Sequence, residues 1–196
     1  MKDLLITRSH LTANGRYVGD IDLSSFNGNL KLSDGLGDVY FASINVTGSV
    51  VVGRHCTLRV KENLCAGNFI HAEENIVVEG DISAGLFIKT GVRLRAGGDI
   101  RAVLDIQGDW GIYAGGLLKA GSDIMSRGLI ETGGAIEAGA TLASGSDVMA
   151  GDYITTGLCI RVFRNVNAGG IVRAGKELCV GGRLDSELNR QASLVG

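Results

Sequence analysis

The sequence predicts an all-β fold, a parallel β-helix wound as a solenoid of triangular 18-residue coils, with a flatter N-terminal part. Three observations predict it. Ile, Leu or Val stands at every sixth residue from Val46 to Leu184, 24 positions in a row. Two residues after the aliphatic the side chain is usually small, as at Ala84, Thr90, Ala96 and Ala120, and Gly usually follows, as at Gly85, Gly91, Gly97 and Gly121. Columns drawn at 18-residue spacing are cleaner still. Ala66, Ala84, Ala102, Ala120, Ala138 and Ala174 share one, interrupted by Thr156.

Within a hexad the first and third residues share one face of an extended segment and the second faces the other way. Large, small, then Gly describes a short strand running into a corner. Gly serves there by supplying a positive φ or by letting backbones approach closely. A helix is excluded because six residues fall between multiples of 3.6, and repeated Gly is costly in helices. Three distinguishable columns make a coil of three hexads.

Three regions follow. Residues 46–184 are the hexad β-helix. Residues 1–45 are an N-terminal cap followed by a nine-residue repeat, Gly19-Asp20-Ile21-Asp22-Leu23, Gly28-Asn29-Leu30-Lys31-Leu32 and Gly37-Asp38-Val39-Tyr40-Phe41. Nine is half of eighteen, so this part reads as a two-sided start to the same solenoid, with a meander of antiparallel strands as the alternative. Residues 185–196, with Asp185, Glu187, Asn189, Arg190 and Gln191, read as a polar cap or tail. Open coil ends expose unpaired backbone, so caps matter.

Composition removes several classes. With 31 Gly but no triplet period and no Pro, the chain of 196 residues is not collagen. A hydrophobic content of 45% argues against disorder, and a net charge of −2 gives no global pull towards nucleic acid or anionic lipid. Four scattered cysteines without a CxxC pair suit a reducing compartment. No apolar run is long enough for a signal peptide or a membrane span. The expectation is a soluble, cytoplasmic protein.

Two families resemble the repeat over residues 46–184. In the hexapeptide-repeat acyltransferases the aliphatic residue is followed directly by Gly. Here Ile136-Glu137-Ala138-Gly139 reverses the order of small and aliphatic residues. Segments such as Val78-Glu79-Gly80-Asp81-Ile82-Ser83-Ala84 look like coils of the bactofilins, polymer-forming bacterial proteins with a right-handed β-helix, which flank it with disordered tails. The bactofilin resemblance implies right-handed winding and a self-assembling scaffold. The hexapeptide resemblance implies an acyltransferase with a histidine base near a coil turn.

Chemistry is sparse. His10, His55 and His71 are separated by 45 and 16 residues, poor spacing for one metal site. Asp81, Asp99, Asp105, Asp123 and Asp147 recur just before the aliphatic position, which points to turn chemistry. Basic clusters at Lys89, Arg93, Arg95 and Arg101, and at Arg161, Arg164, Arg173 and Lys176, are interleaved with acids and read as solvated faces. No Walker loop or nucleophile elbow is present. No cofactor is expected.

The repeat is violated along one corner, where Gly gives way to His55, Glu73, Asp109, Arg127 and Phe163, beside a column holding Trp110 and Arg164. Asp109, Trp110, Arg127, Phe163 and Arg164 are the candidate binding residues, because Trp and Arg most often anchor protein interfaces. The competing reading folds Trp110 back over the coil. The sequence therefore points to a non-catalytic module that binds a protein partner through a lateral edge, as an inhibitor or toxin-neutralising (immunity) protein does. A bactofilin-like scaffold is the alternative, with a hexapeptide acyltransferase behind it.

Overall fold

A computed structural model describes residues 2–187, and the end-cap positions Asn189, Arg190 and Gln191 lie outside them. The chain is an all-β parallel solenoid of about nine turns of about 18 residues. Each coil contributes one strand to each of three parallel sheets, with ten, nine and eight strands in the order the chain meets them. The first sheet runs from Lys2–Ile6 to Glu177–Val180, the second from Gly37–Phe41 to Leu184–Asp185, and the third from Ile44–Val46 to Val172–Ala174. No helix among the described residues is long and apolar enough to cross a membrane.

The expected register holds from Leu58 onwards. Leu58 pairs with Ile76, Ile82 with Ile100 and Ala84 with Ala102, so equivalent residues stack at an offset of 18. The sixth-residue aliphatic of each strand is fully buried from Leu58 through Ile160, and its smaller partner two residues on is buried beside it. The middle residue faces out.

The frame differs near its start. Ile44 pairs with Leu64 and Val46 with Ala66, while Val50 pairs with Ile70 and Val52 with Ala72. Val46 and Val52 therefore occupy the small-residue position, and Ile44 and Val50 hold the large one. A longer corner, with Gly53, Arg54 and His55 ahead of the strand Cys56–Val60, absorbs the two-residue shift. His55 has a φ of 56°, the one positive φ among the described non-glycine residues. A two-residue shift preserves the inward face of a strand, so Val46 and Val52 stay buried and the sixth-residue series runs on unbroken.

The N-terminal part is three-sided, where a two-sided start was expected. Gly28–Leu32, Gly37–Phe41 and Ile44–Val46 lie in three different sheets. The nine-residue spacing is the step from the first sheet to the second. The Gly19 member of that repeat forms no strand. Leu23–Ser25 make a 3-10 turn capped by Asp22, and Phe26 bridges in parallel to Val46. No meander forms among the described residues, where the single antiparallel bridge is Leu11 to Tyr17, in the turn after the first strand.

The repeat glycines serve close approach rather than positive φ. Only Gly15, Gly35 and Gly37 have positive φ among the described glycines. A Cβ on Gly121 would overlap the carbonyl oxygen of Val103 in the coil before it. The recurring aspartates have an equally specific use. The Oδ1 of Asp81 accepts from the backbone N–H of Asp99 at 2.7 Å, and that of Asp99 from Leu117 at 2.6 Å. Asp105 and Asp123 repeat the pattern towards Asp123 and Thr141, and Asp147 and Asn165 towards Asn165 and Arg183.

Two predictions follow from the packing. Thr90 is fully buried between Ala72 and Gly108, and its hydroxyl has no hydrogen-bond partner among the described residues. Thr90→Val should raise stability by about 1 kcal/mol, read as a higher urea midpoint, since an unpaired buried hydroxyl is costly. Asp99→Ala should speed hydrogen exchange at the Leu117 amide by about tenfold while Asp99→Asn, which keeps the acceptor, changes it little. Equal exchange in both variants would remove the ladder from the account.

Candidate binding edge

The corner between the first and second sheets departs from the regular corner pattern at one coil. At a regular corner the amide after the small residue bonds to the preceding coil, as Gly121 N–H does to Ala102 C=O. At residue 127 this pattern changes. The carbonyl of Gly108 accepts from the Ser126 hydroxyl at 2.6 Å, and the Arg127 amide bonds to the Asp109 carbonyl instead. The Gly128 amide then donates to Ser126 Oγ, and one coil later the Ser146 amide donates to Ser144 Oγ. Two buried serines thus brace a corner that carries large side chains.

The five sequence-predicted residues sit along this corner. Asp109, Arg127 and Phe163 share one column, with Gly145 between the last two, and Trp110 and Arg164 share the next. Arg127 lies 3.6 Å from the Asp109 carboxylate, which also accepts from Gln107 Nε2 at 2.9 Å. Trp110 is 71% exposed and Phe163 74% exposed, so Trp110 does not fold back over the coil.

Three of the five line one shallow groove of about 1220 Å³, namely Asp109, Arg127 and Phe163. Trp110 and Arg164 stand beside it, three coil steps apart, which is about 14 Å at the strand spacing. Groove residues that the sequence reading passed over include Gln107, Met125, Ala143 and Cys179. They belong to the outward column of the first sheet, next to the corner, and their 18-residue spacing was available as a signal. Arg161, read above as part of a solvated cluster, belongs to the same column. A second exposed apolar cluster, Leu86, Val103 and Leu104, lies at the opposite corner of that sheet, near the stacked rings of Phe69 and Phe87.

Around the groove the ionisable groups are tied to one another. Arg161 donates to Glu177 at 3.0 Å, and the Cys179 thiol donates to the other carboxylate oxygen at 3.3 Å. The Arg161 hydrogen bond, then that of Cys179, holds the Glu177 carboxyl below its ordinary value, and the same carboxylate pushes the Cys179 thiol up. A thiol shifted upwards is a poor nucleophile at neutral pH. Asp147 is held low chiefly by the backbone hydrogen bond from Asn165.

The histidines are apart in role. His10 bonds to Thr7, His71 lies 3.3 Å from Glu73, and His55 lies 3.7 Å from Glu74. Among the described residues no group of three His, Cys, Asp or Glu side chains is placed to hold a metal ion. No protein-family model, curated protein or solved structure matches the chain. The likeness to bactofilins and hexapeptide-repeat proteins therefore rests on repeat chemistry.

Glu177 and Asp147 fix the sign of an acid effect. A carboxyl whose folded pKa is depressed stabilises above its unfolded value, and that contribution is lost as pH falls through the folded value. Melting temperature should hold from pH 7 to about 5 and fall below about 4. In Glu177→Gln plus Asp147→Asn the acid fall should be shallower, and an unchanged slope would assign it to other groups.

Proposed function

We propose that this chain is a non-catalytic β-solenoid that binds another protein through its first-to-second-sheet corner. The observation that carries the reading is the pair of exposed aromatics, Trp110 at 71% and Phe163 at 74%, on a fold that needs neither there. The coil after Trp110 places Gly128 at the equivalent position, and the coils on either side of Phe163 place Gly145 and Gly181. Large apolar side chains in water at such positions lower the free energy of a complex rather than of the fold. A binder of this kind acts by covering a partner's working surface, the role of an inhibitor or toxin-neutralising protein. The cytoplasm is the proposed compartment, given four free cysteines, one of them exposed.

A second reading has one observation in its favour. Leu178, the inward residue of the last first-sheet strand, is 40% exposed, and Ile171 nearby is 41% exposed. A scaffold that stacks coil end on coil end would cover both.

Capture on the tagged full chain from cells of the source organism separates the two. A heterologous partner should co-purify, and Trp110→Ala with Phe163→Ala should reduce its yield by about tenfold, as loss of two anchors does. Retention of the partner by the double variant would place the interface elsewhere. Mass that rises with protein concentration in light scattering would favour end stacking.

A further inference from the structure

Side-chain size changes abruptly between coils along this edge. Met125 and Arg127 project from one coil, and Arg161, Phe163 and Arg164 from the coil two steps on. The coil between them offers only Ala143, Gly145 and Ser146. The registers Met125 to Ala143 and Ala143 to Arg161 align the three. The middle coil is therefore a floor between two walls about 9.6 Å apart, twice the strand spacing. That gap is close to the 10 Å between packed sheets, and a helix with its side chains needs about 10–12 Å clear of the walls. An extended chain parallel to the strands fits better.

The walls also select chemistry. Phe163 and Met125, 74% and 38% exposed, make them apolar. Arg127, with its side chain 85% exposed, belongs to one wall, and Arg164 to the other. Carboxylates near the floor are engaged. Asp109 lies behind Arg127 at 3.6 Å and Glu177 behind Arg161 at 3.0 Å, while Asp147 accepts from the Asn165 backbone at 3.0 Å and side chain at 2.8 Å.

We propose that this floor receives a short extended segment of the protein partner, with an aromatic or aliphatic side chain against Phe163 and Met125 and carboxylates towards Arg127 and Arg164. The inference rests on the lateral-edge reading and specifies which part of the edge is occupied and by what. One strand and its corner accommodate four or five extended residues, about 15 Å.

Decapeptides displayed on phage and selected against the full-length protein supply the probe, and the selected peptide is resynthesised with a fluorophore for anisotropy. The expected consensus places at least two Asp or Glu around one Phe, Trp or Leu. Ala143→Phe, which fills the floor from an outward position, should weaken that peptide by at least about tenfold. Arg127→Glu with Arg164→Glu should weaken it by about fivefold or more. Leu104→Ala, at the opposite corner of the first sheet, should leave it within about twofold, and circular dichroism should match wild type throughout. A basic or charge-free consensus, no consensus, or affinity indifferent to Ala143→Phe overturns the inference. If any of these occurs while a captured partner still depends on Trp110 and Phe163, the edge reading stands without the floor. If that dependence is absent too, both fall.

Discussion

Backbone stacking between coils is the constraint on which the rest of the molecule depends. Each coil must lie one strand spacing from the last, with corner amides in the regular coils aimed at carbonyls 18 or 19 residues earlier and the amides of the inward aliphatic residues at carbonyls 17 residues later. At the corners this leaves no room for a Cβ where Gly121 faces the Val103 carbonyl. Inside, it leaves room for one large and one small side chain per strand. Two of every three strand residues are thus assigned by the fold, and only the outward position and the corner are free to differ. Function in such a chain has few places to be.

The aspartate ladders show how electrostatics yields to that constraint. Carboxylates one coil apart repel, yet two unit charges at about 4.8 Å in water interact by only about 1 kcal/mol. A hydrogen bond from a backbone amide to a charged acceptor is worth about 1.5–3 kcal/mol. Asp81 and Asp99 therefore stack at a profit because each Oδ1 takes an amide from the next coil. Arg101, beside the Asp99 carboxylate, offsets part of the repulsion.

The solenoid was legible because its period is short and its core column admits few residue types. The start of the frame was not, and the reason is parity. Val50 and Val52 are both Val and both face inward, so only the pairing partners reveal which is the large position. The nine-residue spacing misled for a related reason. It measures one side of a coil, and the third side there is made by the short strand Ile44–Val46 without a glycine signal. At the edge, Trp110 and Phe163 stood out as the aromatics of the two corner columns. Met125 and Ala143 did not, because a depression is a difference between neighbouring coils rather than a property of any one residue.

That difference also weighs the lateral edge against the open end. An end presents the rim of one coil, three strands of two to four residues at the last turn. A stable interface needs about 800 Å² on each partner. The edge from Asp109 to Phe163 runs over three coil steps, about 14 Å, and extends sideways onto the first sheet as far as Met125 and Arg161. It also varies from coil to coil, whereas an end offers the repeat itself. Recognition requires features that the next coil does not duplicate, and on this chain those features lie where Gly was replaced.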